Sequence, residues 1–125
     1  RDEEENYFKR TVVFPIMHII AMRRDILAEF PWIARNLYIA FDAARKRSIE
    51  RLMEGSVSRY PIPWMSDTAE RMRELFKGDF YPYGIEENRK TLEAFLTWSY
   101  EQGIAKKLVR PEDIFPEGIN PSVKN

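Results

Sequence analysis

The sequence contains one histidine, His18, and it is the residue best suited to acid–base chemistry. It lies between Met17 and Ile19 in the most apolar stretch of the chain, residues 11–22. Because imidazole titrates near neutral pH, a histidine that faces a substrate can donate or accept a proton. The alternative is a core histidine whose two ring nitrogens are both hydrogen-bonded. The residue types around His18 leave both interpretations open.

Two further groups of polar residues have the chemistry to bind an anion. Arg23 and Arg24 follow the apolar stretch and could hold a carboxylate through bidentate guanidinium contacts, although such a pair is more often a solvated rim. A second group surrounds a Pro-Gly turn before a predicted helix, whose start could hold an anion: Tyr81, Tyr83, Asn88 and Arg89. Loop packing is the alternative for this second group. The basic run at residues 45–47 is expected to be an exposed helix face.

Composition excludes several classes of protein. The 125 residues fit one domain, and 20 basic and 20 acidic residues leave no net positive charge for a nucleic-acid binder. Without cysteine there is no disulfide framework or thiolate metal site, and a transition-metal site is not expected. No apolar run reaches the ~18–20 residues of a membrane span. The acidic start at residues 2–5 is unlike a signal peptide. We therefore expect a cytoplasmic protein, and we expect that the first residue of this chain is not its natural start.

The elements that must position these residues are one strand and several helices. The β-branched run at 11–22 predicts a buried strand, with its ladder confined to the part after Pro15. No second segment matches it, so its partner strands are expected elsewhere. Helical spacing, prolines and glycines predict helices at 24–30, 31–54, 67–77, 86–102 and 111–115, with a capping box at 67–70. The expected fold class is mostly α with one or two β-strands, in a single segment over residues 1–125.

Two motifs carry a resemblance to a known family. Phe-Pro-Ile-Met-His at 14–18, continued through 25 and 31–35, resembles the C-terminal part of 4,5-dihydroxyphthalate decarboxylases and their close relatives. Residues 82–92 and 100–103 are similar to later segments of the same family. The similarity runs from about Thr11 onward and covers only the C-terminal part of a family member. The residues at 11–13 stand where a smaller residue such as glycine is expected, which argues against close backbone approach to a ligand there.

The resemblance implies a fold, a reaction and site residues. The fold would be a two-lobed α/β type 2 periplasmic-binding-protein-like fold, of which this chain is the C-terminal segment. The reaction would be decarboxylation of a dihydroxylated aromatic dicarboxylate without a cofactor, since a ring hydroxyl para to the leaving group supplies electron density. His18 would be the catalytic acid or bind the phenolic hydroxyls. The implied substrate-binding residues are Arg10, Arg24, Tyr83, Asn88 and Arg89.

The implied partners are a small aromatic carboxylate and a missing N-terminal lobe, with neither nucleic acid nor membrane. An exposed strand edge at 16–22 would favour a homodimer. One alternative is a non-catalytic solute-binding or sensor protein of the same fold, since a fold does not decide function. Another is a purely structural helical domain, in which the strand is satisfied within the chain.

Overall fold

In the computed structural model, residues 1–54 and 61–116 are described, and the regular elements among them are helices. They are α1 (Asp2–Thr11), α2 (Arg24–Glu29), α3 (Trp32–Met53), α4 (Met65–Leu75), α5 (Ile85–Glu101) and α6 (Pro111–Ile114). The chain divides into two compact units, Arg1–Leu37 with Tyr83–Asn125, and Tyr38–Pro82. Each unit is described by itself below.

Local sequence signals account for most helix positions. The helices predicted at 86–102 and 111–115 are confirmed by α5 and α6. Gly84 precedes α5 with φ at 117°, a backbone conformation that favours glycine. The capping box expected at 67–70 is wrong, because α4 begins earlier, at Met65, after Trp64 in the left-handed conformation. The glycine expected to end α3 lies outside the described residues.

The predicted strand is absent, and the α/β fold class is wrong for the described residues, which are 64% helical and 0% strand. Residues 12–23 adopt no regular secondary structure. Met17 is 77% exposed and Ile19 67%, so the expected burial is wrong as well. A strand forms only when its backbone pairs with a neighbour. High β-propensity did not produce a strand here because no other described segment pairs with this one.

The first unit has a small core along α5. Thr91, Leu92 and Leu96 are buried there, and α6 packs against this helix. Phe95 and Trp98 lie on the same helix and are 60% and 45% exposed. Little apolar surface is therefore buried in this unit, and these two side chains contribute little hydrophobic free energy to folding.

In the second unit, the protected face of α3 includes charged residues. Phe41 and Ala44 are exposed, whereas Asp42, Arg45 and Ile49 are partly buried. The expectation that residues 45–47 form an exposed basic face is wrong for Arg45, whose side chain is 10% exposed. The protected stripe of α3 is therefore partly charged.

Three groups accept hydrogen bonds from the Arg45 guanidinium. Its Nε and Nη2 donate to Asp42 Oδ1 at 2.9 and 2.8 Å, and Nη1 donates to the carbonyl oxygen of Phe80 at 3.1 Å and to Asp79. Lys46 Nζ lies 2.7 Å from Asp42 Oδ2. Through this guanidinium, α3 holds the turn that follows α4. This turn places the buried Phe80 ring edge-on to the Phe76 ring, with 6.1 Å between their centroids.

Replacing Arg45 by lysine should destabilise the protein by about 1–3 kcal/mol, because a compact ammonium cannot span Asp42, Asp79 and the Phe80 carbonyl at once. Urea unfolding measures the change. Arg47→Lys on the same helix is the matched control, since Arg47 is exposed, and it should lie within about 0.5 kcal/mol of the parent. Equal effects of the two variants would contradict the assignment.

Candidate functional site

The segment that carries His18 leaves α1 through a tight turn. Val12 takes the left-handed conformation (φ 59°, ψ 20°), which a β-branched residue rarely adopts, and its N–H donates to the Phe8 carbonyl at 2.7 Å. The Thr11 hydroxyl donates to the Tyr7 carbonyl at 2.8 Å and accepts the Val13 N–H at 3.1 Å. The position where a smaller residue was expected is thus one where the backbone itself favours glycine.

His18 lies in the exposed part of this segment. Its side chain is exposed, and within residues 1–54 and 61–116 it makes no hydrogen bond or ion pair. The interpretation as a core histidine with both nitrogens bonded is therefore wrong for the described chain. An exposed imidazole can reach a ligand, but its catalytic role stays a prediction.

The two other candidates near His18 are exposed cations at helix ends. Arg10 lies in the last turn of α1, with its guanidinium 5.9 Å from the centroid of the Tyr7 ring. Arg24 begins α2, and it is exposed. Its neighbour Arg23 donates from Nε to Asp25 at 3.0 Å, and that contact holds the pKa of the Asp25 carboxyl below its usual value. Of the two consecutive arginines, Arg23 is thus the one engaged in an ion pair.

The group of residues around the Pro-Gly turn lies at the beginning of α5. Tyr83 precedes the helix and is partly buried. The Asn88 side chain donates from Nδ2 to the Gly84 carbonyl at 2.9 Å, which closes the first turn. Asn88 thus supports the local backbone, and the contact of Tyr83 and Asn88 with a substrate stays a prediction.

Arg89 is the centre of a carboxylate clasp, formed with Glu86, Glu93 and Glu112. Its Nε donates to Glu86 at 3.1 Å and its Nη1 to Glu93 at 3.5 Å, while Nη2 contacts both Glu86 and Glu112. Hydrogen bonds from Arg89 lower the pKa of Glu86 and of Glu112, and these two carboxylates raise the pKa of Arg89. A substrate carboxylate would have to displace a glutamate from this guanidinium.

A shallow cleft lies beside the clasp, between α5 and the residues before α6. Its volume is about 230 Å³, below the ~300–1,000 Å³ typical of small-molecule sites. It is lined by Arg89, Glu93, Thr97, Leu108, Val109, Arg110, Pro111 and Glu112. Charges of both signs alternate around it, so it does not single out an anionic ligand.

One hydrogen bond brings the His18 segment to α5. The Phe14 N–H donates to Thr91 Oγ1 at 3.1 Å, between residues 77 positions apart. Within the described residues, no hydrogen bond or ion pair joins His18 to Arg10, Arg24 or Arg89. Sequence reasoning missed Thr91, although its place next to Leu92 on a predicted helix marked it as a polar residue near a core stripe. It also missed the clasp, whose Glu86 and Glu93 stand at helical spacing from Arg89.

The described residues contain neither a cluster of metal ligands nor a membrane-spanning helix. No group of three or more histidine, aspartate or glutamate residues there has the arrangement of a metal site. No helix there has the length and apolarity needed to cross a membrane.

Comparison with known proteins gives one informative similarity. No protein-family model matches the chain. Over 109 residues it is 28% identical to a protein from Comamonas testosteroni named 4,5-dihydroxyphthalate decarboxylase. The aligned part is 87% of this chain and 33% of that relative, so the chain spans about a third of the relative's length. The chain is thus distantly similar to part of a protein that is named a decarboxylase.

The clasp should weaken in acid. The folded-state pKa values of Glu86 and Glu112 lie below their usual value of about 4.3, so the stabilisation is complete above that pH and is lost as the pH falls through the lower folded values. Glu112→Gln should therefore be less stable than the parent at pH 7, and the difference should shrink toward pH 3. Urea unfolding at both pH values measures this.

The matched control for the clasp is Glu101→Gln, at the exposed last residue of α5. It should show no comparable loss at pH 7. A Glu112→Gln difference that stays constant between pH 7 and pH 3 would contradict an ionic clasp.

Proposed function

We propose that this chain is part of a decarboxylase that acts on a dihydroxylated aromatic dicarboxylate, of the type that converts 4,5-dihydroxyphthalate to protocatechuate. The observation that carries the proposal is the 28% identity over 109 residues with the Comamonas testosteroni protein of that name. The exposure of His18 and Arg24 supports it, because both can reach a ligand.

The reaction assigns His18 the role of acid. His18 in its protonated form delivers a proton to the ring carbon that bears the leaving carboxylate. The ring hydroxyl para to that carbon supplies the electron density for this protonation, so no organic cofactor is needed. The bond between the ring and the carboxylate then breaks, its electron pair restores the aromatic ring, carbon dioxide departs, and His18 regains a proton from water. A pocket that excludes water favours loss of the charged carboxylate.

A cation must bind the carboxylate that stays on the ring. The candidate arginines differ in whether they already contact a carboxylate of this chain. Arg24 is exposed and stands six residues after His18, whereas Arg89 is engaged by carboxylates. Arg24 is therefore the first choice for a bidentate contact with this group. Arg10, Tyr83, Asn88 and Arg89 are secondary choices for binding the aromatic ring and its hydroxyls.

The site needs surfaces beyond this chain. Residues 16–22 are mainly apolar, and Met17 and Ile19 among them are exposed. Leaving such side chains in water costs free energy. Since the relative is about three times as long as the matched part, we assign the cover of this segment to the remainder of a longer cytoplasmic polypeptide. A second copy of this chain is the alternative, and sedimentation at several concentrations separates the two.

Replacing His18 by glutamine in the full-length protein should lower kcat for carbon dioxide release from 4,5-dihydroxyphthalate by roughly 10²–10⁴-fold, the usual contribution of a positioned general acid. Glutamine keeps the size and polarity of the side chain but cannot supply the proton. Lys9→Gln, another loss of a polar exposed group, is the control and should retain activity.

Retention of full activity in His18→Gln would remove His18 from the mechanism. If the parent protein binds 4,5-dihydroxyphthalate but releases no carbon dioxide, the enzyme proposal fails, and a solute-binding or sensor function takes its place. Isothermal titration of the parent with this ligand distinguishes the two functions.

Replacing Arg24 by glutamine should raise KM about tenfold or more, because a charge-assisted contact to the retained carboxylate is lost. The matched control is Arg23→Gln, since the neighbouring guanidinium is already engaged with Asp25. Initial rates over a range of substrate concentrations give both values. Equal KM changes in the two variants would contradict a specific role for Arg24.

A further inference from the structure

The segment that carries His18 is tethered at both ends and unsupported between them. At the N-terminal end of the segment, the last backbone group with a partner is the Phe14 N–H, which donates to the Thr91 hydroxyl. Pro15 has no N–H to donate, and none of the N–H groups of residues 16–22 donates a backbone hydrogen bond within the described part of the chain. The next fixed point is Arg23, whose carbonyl accepts the Leu27 N–H at 3.1 Å as α2 begins.

The tether at Phe14 is well defined. Thr91 is buried, at 8% exposure, and its hydroxyl oxygen meets the Phe14 N–H at 3.1 Å. The Phe14 ring packs edge-on against Phe8 at 6.0 Å between centroids. The N–H and the ring of Phe14 are thus held by α5 and α1 respectively. His18 follows four residues later, so its position depends on this anchor.

We infer that Thr91 is a positioning residue, whose hydroxyl fixes the start of the His18 segment on α5 and so sets where the imidazole is presented. This inference rests on the proposed function only for its kinetic consequence; the anchor itself can be tested without activity. Thr91 touches the backbone of Phe14 and no reacting atom, and it acts through the segment.

A purely structural role of Thr91 predicts a different result. A buried threonine can serve only to satisfy a backbone N–H, and then its loss lowers stability without a specific effect on residues 15–22 or on turnover. The side chain offers a clean test. Valine keeps the shape of threonine and removes the acceptor, whereas serine keeps the acceptor and removes a methyl group.

The experiment compares Thr91→Val, Thr91→Ser and Thr97→Val in the full-length protein. Thr97 lies on the same helix and is only partly buried, so Thr97→Val controls for loss of a hydroxyl from α5. Amide hydrogen exchange at Phe14 and at residues 16–22 reports the anchor. The values of kcat and KM for carbon dioxide release report the position of His18, and urea unfolding monitors global stability.

In Thr91→Val we expect Phe14 exchange to accelerate at least tenfold and kcat to fall at least fivefold, with KM changed less than twofold. Thr91→Ser should restore both values to within about twofold of the parent, and Thr97→Val should change neither. The selective fall in kcat is expected because the proton donor is displaced, whereas Arg24 at the other tether is not.

Unchanged Phe14 exchange in Thr91→Val would overturn the anchor. Faster exchange with unchanged kcat would overturn the positioning role, as would an activity loss that only follows the unfolded fraction and is not rescued by serine. If the parent releases no carbon dioxide, the proposed function fails and the kinetic part of the inference fails with it. The exchange data still decide whether Thr91 anchors Phe14.

Discussion

Residues 16–22 do not pair their N–H groups with the backbone of the described chain, so these groups depend on water or on another surface for hydrogen bonds. The rest of the structure is arranged around this constraint. Helices satisfy their own backbone groups, so α1 and α2 can form on either side of the segment without any partner. The segment itself is held at its two ends, by the contact of Phe14 with Thr91 and by the start of α2 at Arg23. It therefore stays exposed, with its apolar side chains and His18 available to another surface.

Arginine–carboxylate contacts join separate elements in both units. In the second unit, Arg45 joins α3 to the turn after α4 through Asp42, Asp79 and the Phe80 carbonyl. In the first unit, Arg89 joins α5 to Glu112 in α6. The planar guanidinium suits both places, because it can donate to several oxygens in fixed directions. These contacts restrict Arg89 as a substrate ligand and leave Arg24 as the stronger candidate.

The function proposed for the chain depends on both the exposed His18 segment and the arginine–carboxylate contacts. The relative named 4,5-dihydroxyphthalate decarboxylase suggests the chemistry, and in that proposal the exposed His18 is the proton donor. A site of this kind is incomplete in one piece of a protein, because exclusion of water requires walls on every side. The anchor at Thr91 matters in that setting, since a general acid must be placed to within a fraction of an ångström.

The sequence by itself determined the helices, the place of His18 in the longest apolar run, and the ends that glycine and proline mark. These features depend on residues within a few positions of one another, which periodicity and capping reveal. Tertiary structure decided that α3 protects Arg45 rather than Ala44, that Phe14 meets Thr91 across 77 positions, and that Glu112 reaches Arg89 across 23. It also decided that residues 12–23 form no strand. Each of these outcomes depends on a partner distant in the chain, and local pattern carries no information about where such a partner lies.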